Sequence, residues 1–320
     1  MSTYSSPHPV PVRFAVIGGS GVYKLECLAN AQSYHIDTPF GAPSDAIIVA
    51  ELDGVPCAFL PRHGVGHRLN PSEVNYRANI CALKQLGVEV ILAINAVGSL
   101  DADYRPGDLA FVTQIIDRTV ARPSTFFERG IVAHVDFAHP TSAIYTALAL
   151  EATAAVLPPP GQTLHPSATA VTMEGPCFST RAESLRNKAQ GAHLIGMTTA
   201  TEAKLAREAE LAYVCVAMVT DMDAWSDAPH VDVSQVERTM KENAHKAQLY
   251  PPAIIAKWAQ QINAADGSLR EDPAFNALRY GILTSPACVT DDVRARMAPL
   301  LQKKYTRFMN KEGHDATVSI

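Results

Sequence analysis

The stretch YVCVAMVTDMDAW, Tyr213–Trp225, decides the fold. It opens on an apolar run, Val214–Val219, long enough for a strand buried on both faces. It then stops on two carboxylates, Asp221 and Asp223, with Met222 between them. In an open parallel α/β sheet the carboxyl ends of the strands face the ligand crevice, so a D-x-D there is placed to touch a bound molecule. The same two acids could also cap a helix or solvate a loop.

Working outward, strands and helices alternate. Arg13–Gly18 reads as a buried strand running into Gly18-Gly19-Ser20-Gly21, where backbone N–H groups and the Ser20 hydroxyl could surround an anion. The spacing is neither G-x-G-x-x-G nor a P-loop. Ala46–Leu52 and Val55–Leu60 flank Asp53-Gly54 and read as a hairpin ending at Arg62-His63-Gly64, a fork of donors for an oxyanion. A helix is expected from Asn70 as N-cap with Pro71 at its first position and Glu73 closing a capping box, ending at Gly87. Val88–Ala96 is a further strand, tipped by Asn95-Ala96-Val97-Gly98-Ser99. Three strand ends with small, donor-bearing turns are what one anion pocket gathered from several strands needs.

The alternation continues with strands at Asp108–Ile116, Ala168–Met173 and His193–Thr198. Helices are expected over Thr141–Leu157, from the Thr180/Glu183 capping pattern to Gly191, and over Thr201–Glu210. One more should start at Ser234 and be interrupted near Pro251-Pro252. The expected architecture is α/β, one domain over residues 13–284 around a mostly parallel sheet, with a mobile arm at 1–12 and a C-terminal extension at 285–320.

Composition narrows the function. Charged residues are 18% and apolar ones 47% of 320, and the net charge is −5 without a basic patch, which speaks against nucleic acid or an anionic membrane surface as a partner. No apolar run approaches the ~20 residues of a membrane span. Six scattered cysteines without a C-x-x-C read as reduced thiols rather than a disulfide frame or a zinc site. The N-terminus lacks a basic start and an apolar segment, so no signal peptide is expected.

These motifs stand together in one register. IGGSG at 17–21, DTPFGAPSDA at 37–46, RHG at 62–64, NYRANICALK at 75–84 and NAVGSL at 95–100 are followed by MEGPCFSTRAES at 173–184, MTTATEAKLARE at 197–208 and VTDMDAW at 219–225. In this order the chain resembles the trimeric purine nucleoside phosphorylases, and most closely their 5′-methylthioadenosine phosphorylase branch, from about Phe14 to about Leu283.

The resemblance implies a single-domain sandwich with a large distorted mixed sheet flanked by helices, a cytoplasmic homotrimer with the nucleus left open, and cleavage of a purine N-glycosidic bond by orthophosphate. No cofactor or metal is implied; phosphate is a co-substrate. By position, Ser20, Arg62, His63, Asn95, Ala96 and Thr198 match the phosphate site. Phe178, Ser179, Met197 and Met222 match the neighbourhood of base and ribose, and Val233 and Val236 the wall around the 5′ substituent. Asp221 matches the residue facing N7 of the purine, to be kept protonated by burial, and Asp223 the partner of the 6-amino group. His134 and Leu283 match contributions from a neighbouring subunit.

Three positions depart from that branch: Ser20 and Asn95 stand where it has threonine, and Cys177 where it has a basic residue. The implied substrate is 5′-methylthioadenosine, in methionine and purine salvage, with a broader adenosine, inosine or methylthioinosine phosphorylase as the alternative. Ser179 and Asp221 favour the 6-amino purine, because the 6-oxopurine enzymes carry glutamate and asparagine there. A non-catalytic nucleotide module using the glycine turn, or a metal-dependent glycosyltransferase using D-x-D, would leave the shared register of the other motifs to coincidence.

Overall fold

Strand β9, Ala212–Asp221, is buried at all ten positions, and its alternate residues face different cores. Tyr213, Cys215, Ala217 and Val219 join one apolar cluster; Ala212, Val214, Val216 and Met218 join another. That is the period-2 alternation of a strand covered on both faces. Each fully buried Val or Met contributes about 1.5–3 kcal/mol relative to an exposed one. The computed structural model describes residues 12–18, 29–156, 162–227, 239, 248–264, 268–301 and 304–310.

The remaining strands are β1 (Phe14–Gly18), β2 (Ala29–Tyr34), β3 (Ile47–Leu52), β4 (Val55–Pro61), β5 (Val90–Ser99), β6 (Leu109–Asp117), β7 (Leu164–Thr172) and β8 (Leu194–Gly196). They form one nine-stranded sheet in the order β2-β3-β4-β1-β5-β8-β7-β6-β9. β9 also pairs with β5, so five strands close into a ring. β1/β4, β1/β5, β5/β9, β6/β7 and β7/β8 are parallel; β2/β3, β3/β4, β5/β8 and β6/β9 are antiparallel. The sheet is therefore mixed, the large mixed sheet expected from the resemblance rather than the mostly parallel one expected from alternation alone.

Helices cover both faces. Helices α1 (Tyr76–Leu86), α4 (Thr199–Glu208) and α6 (Asp291–Leu301) pack on the first cluster through Ile80, Leu83, Leu205, Val293 and Met297. Helices α2 (Ala143–Val156) and α5 (Tyr250–Ala264) pack on the second through Tyr145, Ala149, Ile254 and Trp258. Helix α3 is Arg181–Ala189, and a short α7, Thr306–Met309, follows α6. The C-terminal segment read as an extension contributes Val289, Leu300, Leu301, Tyr305 and Phe308 to the first cluster. Lys304 and Tyr305 there both bind Glu210, at 3.0 and 2.5 Å.

Local signals were read with one correction. The Asp53-Gly54 hairpin forms, with φ of 49° and 79°, as does the Thr180–Glu183 capping box. Asn70 and Glu73 do exchange their capping bonds, but around a single turn. The helix itself starts at Tyr76 with Asn75 as its cap, accepting from the Ala78 N–H at 3.2 Å. Pro251 and Pro252 lie in the first turn of α5, where a missing N–H costs little. The expected helix start at Ser234 lies outside the described residues.

Candidate active site

The carboxyl ends of β4, β5 and β9 bring two clusters of buried polar groups to one end of the sheet. Arg62 follows β4 and is only 2% exposed. Its Nε donates to Glu202 Oε1 at 2.5 Å and its second terminal nitrogen to Glu202 Oε2 at 3.1 Å and Asn95 Oδ1 at 2.6 Å. The other terminal nitrogen donates to the Ile94 carbonyl at 3.2 Å. A guanidinium has five N–H groups, so one is left for a ligand. Burial opposes the Arg62 charge, but Glu202 outweighs it and raises the pKa. Glu202, in α4, also accepts from the Tyr213 hydroxyl at 2.9 Å.

Asn95 links this pair to the start of α4. Its Nδ2 donates to Thr198 Oγ1 at 3.2 Å and Thr199 Oγ1 at 2.7 Å. Thr198 occupies the N-cap position without a side-chain cap bond, so its hydroxyl serves the cluster instead. Ala96, next on β5, is half-buried. His63 was expected to donate to an anion. Its Nδ1 lies 2.9 Å from the Leu69 carbonyl, which takes the ring proton there and leaves Nε2 as an acceptor. Burial, with Arg62 beside it, lowers its pKa to about 4. The ring stacks on His67 at 4.4 Å.

The second cluster surrounds Asp221 and Asp223. Between Val97 and Gly98 the β5/β9 register slips: Val97 pairs with Val219, but Gly98 pairs with Asp221. Thr220 is therefore the extra residue of a bulge, a device that re-aims neighbouring side chains. Its hydroxyl lies 2.7 Å from Asp221 Oδ2 and 3.1 Å from the Val97 carbonyl. Asp221 Oδ1 accepts the Asp223 N–H at 2.9 Å. Asp223 has φ of 45°, and its Oδ2 accepts from the Ser184 hydroxyl of α3. Burial raises its pKa, with Asp221 adding to the effect and Ser184 and the Ala224 N–H opposing it. Gly98 is needed for the approach: a Cβ there would stand 2.8 Å from Asp221 Oδ1.

Around these clusters lie the other expected residues. The Met197 carbonyl accepts from Arg122, a buried residue that also binds Glu174 at 3.1 Å. Glu174 accepts from Ser72 at 2.6 Å and from the Val120 and Ala121 N–H groups. Burial works against its charge, but Ser72, the Val120 N–H and Arg122 bring its pKa down to about 2. Phe178 is 46% exposed, Ser179 lies 3.7 Å from Met173 Sδ, and Met222 is half-buried between the two acids. His134 and Leu283 are both exposed and flank the Ala133–Ile282 bridge, so the fold brings those two together. Ser20, Val233 and Val236 lie outside the described residues. Sequence reading missed Glu202, Thr199, Thr220, Ser184 and Arg122, and took Gly98 only as part of a strand tip. Glu202 carried a weak signal, an acid in the first turn of a helix following a strand-end loop.

The family model described as the phosphorylase superfamily matches residues 13–254. The chain belongs to that superfamily. It is 47% identical over 287 residues to an S-methyl-5'-thioadenosine phosphorylase of Chloroflexus aurantiacus, covering 89% of this chain and 96% of that one. A methylthioadenosine phosphorylase from an antarctic soil metagenomic library superposes with a TM-score of 0.84 at 42% identity, over 91% of this chain and 99% of that one. An adenosine/methylthioadenosine phosphorylase variant of Schistosoma mansoni, crystallised with adenine, gives 0.76 at 34% identity over 85% and 99%. As members of one superfamily, these chains share the mixed sheet and its helical layers.

Proposed function

We propose that the protein cleaves 5′-methylthioadenosine with orthophosphate, giving adenine and 5-methylthioribose 1-phosphate. The observation that carries this is the pairing, at one sheet end, of a cationic, hydroxyl-rich cluster with a buried two-carboxylate cluster. The relatives' names supply the substrate class. Arg62, His63, Asn95, Ala96 and Thr198, with Ser20, are assigned to phosphate. The last free N–H of Arg62 and the Thr198 hydroxyl donate to phosphate oxygens, and His63 Nε2 accepts from a P–O–H. The start of α4 adds its positive end.

Bond cleavage builds positive charge on the sugar and negative charge on the leaving purine. Phosphate beside the ribose stabilises the first and attacks C1′; Asp221 supplies a proton at N7 for the second. Asp223 and Ser179 are assigned to the 6-amino edge. Phe178, Met197 and Met222 line base and ribose, and Val233 and Val236 the apolar 5′ wall. Positioning and the phosphate anion do this work, so no cofactor or metal is assigned.

We assign a homotrimer, cytoplasmic, in purine and methionine salvage, with His134 and Leu283 reaching a neighbouring subunit's site. The exposure of Leu283, at 64%, beside His134 supports that placement. Residues 13–284 are assigned to the phosphorylase domain. Among the described residues no helix is long and apolar enough to cross a membrane.

The test is the rate of phosphorolysis of methylthioadenosine, adenosine, inosine and methylthioinosine side by side. Methylthioadenosine should exceed adenosine by at least about tenfold, the factor that 1.4 kcal/mol gives when an apolar wall replaces a hydroxyl's water. A preference for inosine would overturn the assignment.

A further inference from the structure

We infer that the Thr220 hydroxyl is a positioning residue that lets Asp221 exist in both of its protonation states with complete hydrogen bonding. The inference rests on the reading of Asp221 as the acid at N7. Its ground is a proton count at the bulge.

Thr220 has one hydroxyl proton and two neighbours that can only accept when Asp221 is ionised: Asp221 Oδ2 at 2.7 Å and the Val97 carbonyl at 3.1 Å. With Asp221 ionised, the proton points to Oδ2. With Asp221 protonated, Thr220 turns its proton to Val97, and its oxygen accepts the carboxyl O–H. Asp221 Oδ1 is held in both states by the Asp223 N–H at 2.9 Å. In the reaction the carboxyl O–H turns from Thr220 to N7 of the purine. The electron pair of the C1′–N9 bond stays on the purine, a phosphate oxygen bonds C1′, and N7 takes the proton. Thr220 then turns its O–H from the Val97 carbonyl to donate a hydrogen bond to the new carboxylate.

The bulge is what permits this. Thr220 stands as the extra residue between the Val97–Val219 and Gly98–Asp221 pairs, with its hydroxyl against both groups. Among the described residues the charged groups around Asp221 are few. Asp223 follows it on the chain, with Ser184 of α3 on its far oxygen. Of the α3 cations, Lys188 gives its head to the Leu100 carbonyl and the Trp225 ring. Arg181 gives its head to Asp227 and to the Ala224 and Ser226 carbonyls. Gly98 of β5 and Ile195 of β8 contribute no charge. Hydroxyls and N–H groups therefore set the acid.

A hydrogen bond to a carboxylate is stronger than one from a neutral acid, so Thr220 favours the ionised form and makes Asp221 a better proton donor. Thr220→Val removes the hydroxyl at nearly constant shape. With methylthioadenosine and phosphate saturating, kcat should fall about 10- to 100-fold, and the basic limb of its pH profile should move up by about one unit, the acid being weaker. The Michaelis constant for phosphate should stay within about twofold. Thr220→Ser should restore the limb. If Thr220→Val does not fold, Thr220→Cys, a weak donor, is read the same way. A limb left at its wild-type position by the folded variant overturns the role of Thr220, as does a serine variant that behaves like valine. Asp221→Asn, assayed alongside, separates the two readings. If it keeps wild-type turnover, Asp221 is not the acid and both fail. If it loses turnover while the Thr220 variants keep the wild-type limb, only the role of Thr220 fails.

Discussion

The Arg62 cluster and the Asp221 cluster lie at the same end of one sheet, yet they solve burial in opposite ways. Arg62 and Glu202 are each about 2% exposed and neutralise one another through two charge-assisted bonds, with Asn95 and Ile94 accepting from two more Arg62 N–H groups and Tyr213 donating to Glu202. Asp221 and Asp223 have no ion pair among the described residues and are held by hydroxyls and backbone N–H groups. A buried ion pair is rigid and keeps its charge state. Carboxylates held by hydroxyls can gain and lose a proton without moving. The first arrangement suits a site that must present fixed donors to an anion, the second a site that must pass a proton.

Breaking the second cluster should cost most. Asp221→Asn should lower kcat for 6-aminopurine nucleosides by about two to four orders of magnitude, since asparagine donates a hydrogen bond but transfers no proton. Steady-state turnover on methylthioadenosine reads this directly. Breaking the first cluster should appear as instability before it appears as lost catalysis. Glu202→Ala leaves a buried guanidinium without its counter-ion and should cost about 3–5 kcal/mol in urea unfolding. Arg62→Ala should do the same, in addition to raising the phosphate Michaelis constant.

Gly98→Ala sharpens the contrast, because its Cβ would press on Asp221 Oδ1 at 2.8 Å and touches no group of the Arg62 cluster. A displacement of that kind should cost about 10- to 100-fold in kcat with little change in phosphate affinity. The smallest effect belongs to Glu174, outside both clusters. Its pKa is lowered to about 2 in the fold, so it binds protons less readily folded than unfolded. Its stabilisation is complete above the ordinary glutamate pKa and is lost as pH falls through about 2. Glu174→Gln should lower thermal stability by a constant amount above about pH 4.5 and flatten the acid limb of the curve between about pH 4.5 and 2.

Much of the fold was legible because β9, β5 and β1 are apolar runs closed by small or acidic residues, and because Asp53-Gly54 and Thr180–Glu183 act locally. The mixed pairing was not legible from periodicity. β8 is three residues long and β6 runs against β9, and neither fact leaves a pattern in composition. The residues assigned to the site stand largely at strand ends, which is why position could single them out. Position could not show their wiring. Arg62 reads as a free donor until Glu202, 140 residues away, is seen to hold it. The bulge at Thr220 depends on how two strands slip past one another, which neither strand records. Helix α1 starts at Asn75 rather than Asn70 because the capping bonds of Asn70 close only one turn.

The most direct test crosses the two clusters in one kinetic matrix: Arg62→Lys and Asp221→Asn, each with methylthioadenosine and methylthioinosine at varied phosphate. Arg62→Lys should raise the phosphate Michaelis constant and leave the ratio of catalytic efficiencies for the two nucleosides unchanged. Asp221→Asn should leave the phosphate constant unchanged and shift that ratio toward methylthioinosine by about tenfold or more. An Asp221→Asn enzyme that loses both nucleosides equally, or an Arg62→Lys enzyme that changes the ratio, would contradict the division of the site into an anion-holding half and a proton-passing half.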